Sequence, residues 1–252
     1  MIHPHVFFEA LSYLAAFAVY FLLRRRFGDP IFTPLRFAAL AAAVAGAVLG
    51  AKILFWLEDP QLTLRHLHDS AYFVGGKTIV GALAGGLVSV ELFKRYVGLR
   101  ASTGDLYAIP LAVGIAIGRM GCFLTGLADN TYGTPTRLPW AVNFGDGVPR
   151  HPTQLYEIVF LLLLIPALWR VLKQIAREQQ AIFLPGDAFK LFMVAYMTFR
   201  LLCDFIKPYP RLFLGLGGIQ WCCVLVLLYY ASDVARWVRP HAPGVNPRVI
   251  RA

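Results

Sequence analysis

Charge is scarce in this chain. Only 15% of its 252 residues are charged, against roughly 25% in an ordinary soluble domain, while 58% are apolar and the mean hydropathy is +0.60. No polar block is long enough to build a second core. The composition therefore argues against a water-soluble monomer and for one polytopic membrane domain over residues 1–252. Cysteine is sparse too: Cys122, Cys203, Cys222 and Cys223 lie in or beside apolar runs without the spacing of a zinc site, so neither a disulfide framework nor a structural zinc is expected. A phosphate-binding GxxxxGK[ST] loop, a dinucleotide GxGxxG motif and HExxH are all missing, which removes support for a nucleotide-driven pump or a zinc peptidase. The two halves show no internal repeat, against a secondary transporter. No metal and no cofactor is expected.

What the chain has is apolar length. A helix needs about 20 mostly apolar residues to cross the hydrocarbon, and seven segments qualify: 6–23, 37–56, 74–93, 106–124, 155–172, 189–206 and 212–230. The expected fold class is all-α, a multi-pass protein with seven transmembrane helices. Gly46 and Gly50, Gly81 and Gly85, and Gly114 and Gly118 repeat the spacing that lets helices approach closely. Of the 24 Lys and Arg, fifteen flank one set of alternate loops and six the other. Positive charge stays on the cytoplasmic side, so the N-terminus is expected in the periplasm and the C-terminus, with its basic tail at 236–252, in the cytoplasm. The same flanking pattern explains the net charge of +10 without nucleic acid. The first segment lacks a basic region before it and is expected to stay as a helix. The periplasmic loops, about 57–73 and 125–154, are expected to hold small folded elements.

Ionisable groups inside spans cost roughly 2.5–3.5 kcal/mol each on insertion scales, so each needs a partner, a wet cavity or a ligand. Arg119 lies between Gly118 and Gly121, where small neighbours leave room for a large anion. A guanidinium binds phosphate or carboxylate through a bidentate fork; the bland alternative is an arginine locked to Asp105 or Glu157. Arg200, Asp204 and Lys207, at spacings of four and three, form a cation–anion–cation stripe on one helical face, with a snorkelling Lys207 as its bland alternative. Arg150, His151, Pro152, Thr153, Gln154, Leu155, Tyr156 and Glu157 mark where the large outer loop re-enters the membrane. There His151 is a candidate proton carrier near neutral pH. Lys52 is expected to pair with Glu58 or to line the cavity, and Tyr13 to bond in the interior.

Together these segments resemble the bacterial prolipoprotein diacylglyceryl transferase family. The matches run in order through His3-Pro4-His5, Tyr13, Gly75-Gly76 to Gly81, Gly118-Arg119-Met120-Gly121, Tyr132-Gly133, the Arg150–Glu157 run, Phe199-Arg200 with Asp204, Lys207 and Pro208, and Gln220. The resemblance implies an inner-membrane enzyme that takes the diacylglyceryl group from phosphatidylglycerol, releases glycerol phosphate, and joins the group to the Cys thiol of a lipoprotein precursor. It implies that Arg119 and Arg200 hold the phosphate, with Asp204 at a position usually held by Glu and Lys207 at one usually held by Arg. Taken with the reading of the residues themselves, Arg119, Arg200, Asp204 and His151 are the expected catalytic residues, and Lys207, Gly133, Arg150, Gln154, Tyr156, Glu157, Tyr13 and Lys52 are expected to bind substrate. A monomer embedded in the membrane, with phosphatidylglycerol or a related anionic phospholipid as partner, is expected. Val80 stands where the family has a His proposed as acceptor base, Cys122 and Thr125 replace Asn, and Leu127 replaces Glu. Those departures motivate two other expectations: a paralogue with a non-thiol acceptor such as a glycan, lipid or small molecule, or a phospholipid-binding protein without turnover.

Overall fold

The computed structural model describes residues 4–29, 31–177 and 182–239; His3 and the tail beyond residue 239 lie outside them. Helices dominate. In chain order they are α1 (Pro4–Phe27), α2 (Thr33–Glu58), α3 (Pro60–Arg65), α4 (Ser70–Val74), α5 (Ile79–Val97), α6 (Asp105–Thr125), α7 (Thr153–Arg177), α8 (Asp187–Cys203), α9 (Gly218–Tyr229) and α10 (Ala231–Val238). Short 3-10 turns follow α6 (Gly126–Asp129) and α8 (Asp204–Ile206), and β1 (Val142–Asn143) pairs antiparallel with β2 (Pro149–Arg150) in the large loop.

Local chemistry sets several boundaries. Thr78 caps α5 by accepting from the Gly81 N–H, and Gly98, at φ +70°, ends it in the left-handed region that favours glycine. Asp105, in the first turn of α6, accepts hydrogen bonds from the N–H groups of Gly186, Ala188 and Phe189 at 2.5, 3.1 and 3.3 Å. A carboxylate there satisfies otherwise orphaned donors at the start of α8 and complements its dipole. Asp105 is therefore tied to α8, which removes one of the two acids weighed as a structural partner for Arg119.

Among the described residues, four helical segments are long and apolar enough to cross a membrane, namely α1, α2, α6 and α7, and five if α9 and α10, bent by 55°, form one broken span. The remaining expected segments are helical but shorter or more charged. The third does not begin at 74: α4 ends there, and α5 starts at Ile79 and carries Glu91, Lys94 and Arg95 in its last turns. The sixth has 17 residues in α8 and tightens into a 3-10 turn at Asp204. The seventh starts late, because residues 212–217 form a tight turn closed by a Phe213–Leu216 bridge.

The glycine spacing works as expected at one crossing. Any Cβ on Gly50 would lie far inside contact distance of the Gly81 carbonyl, and one on Gly85 would strike Gly46, so α2 and α5 meet backbone to backbone. Gly118 behaves differently, with open space where its Cβ would be. The core centres on α8, whose Phe192, Met193, Tyr196 and Met197 are fully buried against α6, α7 and α9. Leu14, Phe17, Leu49 and Leu163 stay exposed on the outer faces, as an apolar solvent allows.

Gly50→Leu is expected to separate α2 from α5 and to destabilise the protein by about 1–3 kcal/mol. Gly118→Ala, at an open position, is expected to stay within about 0.5 kcal/mol. Thermal melts in detergent compare the two.

Candidate active site

Three helices bring five charged side chains together. Arg119 comes from the penultimate turn of α6, Glu157 from the second turn of α7, and Arg200, Asp204 and Lys207 from the end of α8 and the turn after it. Glu157 is the hub. Its Oε2 lies 2.9 Å from Arg119 Nε and 3.7 Å from Arg200 Nη1, and its Oε1 accepts from the Tyr196 hydroxyl at 2.6 Å. Arg200 Nη2 donates to Asp204 Oδ1 at 2.9 Å, and Lys207 Nζ sits 3.9 Å from that oxygen. All five are buried, none more than 5% exposed.

The sequence spacing placed Arg200, Asp204 and Lys207 on one face, and they do interact. At 3% exposure Lys207 is not snorkelling; its ammonium lies over the Tyr209 ring, 5.5 Å from the centroid. Three cations face two carboxylates, which leaves one positive charge in a buried place. The two guanidiniums converge on one carboxylate from separate helices. Arg119 Nε, Arg200 Nε and Asp204 Oδ2 are buried without a hydrogen-bond partner among the described residues. Arg119 Nε is near Glu157 but not aligned with it. An unmet buried donor costs about 1–3 kcal/mol, and such groups call for a ligand or another specific cause.

A second layer surrounds the cluster. Arg211 donates to the carbonyls of Asp204 and Phe205 at 3.1 and 3.2 Å and to Gln220 Oε1. Gln220 in turn donates to the Leu201 carbonyl at 3.1 Å, fastening the start of α9 to α8. Glu58, Asp204, Tyr209, Arg211 and Gln220 line a narrow crevice there.

The large loop supplies the next set. Gly133 donates its N–H to the His151 carbonyl at 2.9 Å, and a Cβ on Gly133 would lie 2.6 Å from that of His151, so only glycine fits the crossing. His151 Nδ1 is 3.2 Å from the Tyr156 hydroxyl, which accepts from Trp140 Nε1 at 2.8 Å. Gln154 Nε2 donates to the Thr131 hydroxyl at 3.2 Å, leaving Gln154 Oε1 unpartnered.

Three expected binding residues lie apart from the ion cluster. Arg150 pairs with Asp146 at 2.7 Å and lies over the Tyr132 ring, holding the hairpin loop. Tyr13 is not interior: it is 67% exposed on α1 and donates to Glu9 at 3.1 Å. Lys52 does not pair with Glu58; its ammonium caps the carbonyls of Val74, Gly75 and Gly76 where α4 ends. Sequence reasoning missed Tyr196. Its position one turn before Arg200, on the face shared with Asp204, was the available signal.

The protein is thus of the helical membrane class, with a buried, cation-rich cluster between its central helices. The prolipoprotein diacylglyceryl transferase family profile matches residues 5–235. Similar proteins named phosphatidylglycerol–prolipoprotein diacylglyceryl transferase include one from Bordetella parapertussis, 34% identical over 91% of this chain and 90% of its own. Another, from Geobacter sulfurreducens, is 32% identical over 82% of this chain and 79% of its own. The chain belongs to the prolipoprotein diacylglyceryl transferase family.

Glu157→Gln is expected to leave Arg119 and Arg200 without their shared counter-charge and to destabilise the protein by about 3–5 kcal/mol, read as a lowered melting temperature in detergent. In the loop, hydrogen bonding to Arg150 holds the Asp146 carboxyl down at about 2. A depressed carboxylate stabilises the fold above its unfolded pKa and loses that contribution as pH falls through the folded one. The loop contact should therefore persist at neutral pH and fade between about pH 4 and 2. Carboxyl carbon chemical shifts of Asp146 would follow it, and Arg150→Gln should move the titration back to the ordinary range.

Proposed function

We propose that this chain is a phosphatidylglycerol-dependent transferase of the bacterial inner membrane, moving the diacylglyceryl group to an acceptor and releasing glycerol phosphate. The observation that carries the proposal is the meeting of Arg119 and Arg200 on Glu157 with one positive charge in excess. The names of the relatives support the same donor, and a lipoprotein precursor thiol as first choice of acceptor. The proposed arrangement in the membrane is seven spans in one domain, N-terminus periplasmic and C-terminus cytoplasmic, supported by the loop charge bias. The chain is proposed to act as a monomer.

The chemistry follows from charge. A phosphodiester carries one negative charge, and breaking the bond between the glyceryl carbon and the phosphate oxygen adds a second to the departing glycerol phosphate. Fixed guanidiniums in a dry site stabilise that growing charge more than the ground state. Arg119 and Arg200 would grip the phosphate through their guanidinium forks, with Arg200 Nε without a hydrogen-bond partner among the described residues. Asp204 and Glu157 would hold the two forks in place, Tyr196 would orient Glu157, and Lys207 would supply the excess charge. His151, Gln154, Tyr156 and Gly133 would shape the loop above, with His151 as proton carrier. Arg150, Tyr13 and Lys52 would act on the substrate only through the loop and helix ends that they brace.

A second acceptor class is left open by a departure from the family motif. Val80, at the position of the family's proposed base, is completely buried and has no titratable group. A hydroxyl acceptor on a glycan, lipid or small molecule is the alternative reading.

Purified protein given phosphatidylglycerol labelled in its head group, with a lipobox peptide, is expected to release labelled glycerol phosphate and to add diacylglyceryl mass to the peptide. Release without peptide modification in the presence of whole-membrane extract would favour the other acceptor; no release from either would overturn the transferase. Arg119→Gln should lower turnover by about 10²–10³-fold, with Arg119→Lys falling in between, because an ammonium lacks the planar fork.

A further inference from the structure

The positions at which this chain departs from the family motif do not stand alone. Cys122, in the last turn of α6, lies beside His5 from the first turn of α1 and Asp129 from the 3-10 turn after α6. One ligand atom from each, the Cys122 Sγ, a His5 ring nitrogen and an Asp129 oxygen, all lie within 4.8 Å of one another. His5 Nδ1 is 3.1 Å from Asp129 Oδ1. Bonds of 2.0–2.3 Å to one zinc ion set ligand atoms about 3.3–3.7 Å apart in a tetrahedron, a modest adjustment from this starting geometry. The close approach is built in: a Cβ on Gly121 would lie 2.7 Å from that of Phe8 and 3.5 Å from the His5 Cα, so glycine lets the start of α1 lie against the turn that carries Cys122.

We propose that His5, Cys122 and Asp129 bind a zinc ion, leaving a fourth position for the acceptor. The donor set is imidazole nitrogen, thiolate sulfur and carboxylate oxygen, which suits zinc, and three protein ligands with an open place are the pattern of a reactive zinc. The groups behind the ligands are also in place. His5 Nε2 lies 3.6 Å from Glu9 Oε2, beyond hydrogen-bond distance, and Glu9 is itself held by Lys77 and by the Tyr13 hydroxyl. With Nδ1 on the metal, a small shift of the ring would let Nε2 donate to Glu9, the carboxylate–histidine–metal arrangement that orients such a ligand. Thr131 donates to the other oxygen of Asp129 at 2.6 Å and accepts from Gln154, linking the site to α7. One thiolate and one carboxylate cancel the charge of the ion, so the complex faces Arg119 as a neutral body. Arg119 Nη1 is 3.9 Å from Cys122 Sγ, which puts the metal beside the phosphate-binding arginine.

The role of the metal rests on the transferase reading; its binding does not. In that role it replaces the base lost at Val80. A thiol that coordinates zinc gives up its proton, here to water at the exposed edge of α1. The thiolate sulfur then bonds to the glyceryl carbon bearing the phosphate, and the carbon–oxygen bond breaks with its electron pair on glycerol phosphate.

The test is metal binding by the full-length protein in detergent, with no lipid substrate. Cobalt, added after chelation, is expected at about one equivalent per chain, with a thiolate-to-cobalt charge-transfer band that zinc abolishes. Cys122→Ser should lose the band, Cys222→Ser should keep it, and Glu9→Gln should weaken binding about 10–100-fold. Asp129→Asn, which keeps the thiol, should shift the cobalt spectrum. A wild-type protein without the band, or a band that survives in Cys122→Ser, overturns the site whatever the transferase assay shows. Active transferase without metal would refute the role while leaving the donor chemistry intact.

Discussion

Two arginines from different helices share one buried carboxylate at the centre of this bundle. Glu157 meets Arg119 from α6 and Arg200 from α8 while sitting on α7, so the three central helices are joined by charge as well as by packing. Removing charges from water is costly, and their attraction repays the cost only with good geometry and satisfied neighbours. Tyr196 satisfies one oxygen of Glu157, and Asp204 takes the far side of Arg200. The satisfaction stops short of completion: among the described residues Arg200 Nε has no hydrogen-bond partner, and Arg119 Nε lies near Glu157 without aligning with it.

Around this centre, similar residue types serve different ends according to burial. Arg150 and Asp146 form a short, well-aligned pair in water, where such pairs contribute little to stability, and they hold a hairpin loop. Lys52 spends its charge on three carbonyls at a helix end. Asp105 does the same in reverse, accepting from the first N–H groups of α8. These groups set the ends of helices, and the position of those ends decides where Arg119, Glu157 and Arg200 can meet.

Much of the architecture was legible as pattern. Apolar length located helices in all seven expected segments, and the glycine pairs at four-residue spacing marked the α2–α5 crossing. The boundaries were less legible where helices are short: α5 begins only after a capped turn at Thr78, and α9 begins after a turn that still reads as apolar at Leu212 to Leu216. At the site, the Arg200–Asp204–Lys207 stripe followed from helical periodicity, because neighbours on one helix are fixed by spacing alone. The choice between Asp105 and Glu157 for Arg119 did not follow, since it depends on which helices pack together. Tyr13 and Lys52 illustrate the same limit. Each sits in an apolar run that looks interior, yet the faces they occupy turn toward Glu9 and toward the end of α4.

A helical membrane protein, charge rare enough within apolar segments to be meaningful, and motifs of one transferase family could all be read from the residues in order. Those properties are local: hydropathy, helical spacing and short runs of residues survive without knowledge of the fold. Helix packing was needed to show that Glu157 is shared by two arginines, and that His5 and Asp129 come to Cys122 from over a hundred residues away and from the next turn. Contacts between helices arise from which faces are buried together, and a membrane protein's uniform apolarity hides that choice until the helices are packed.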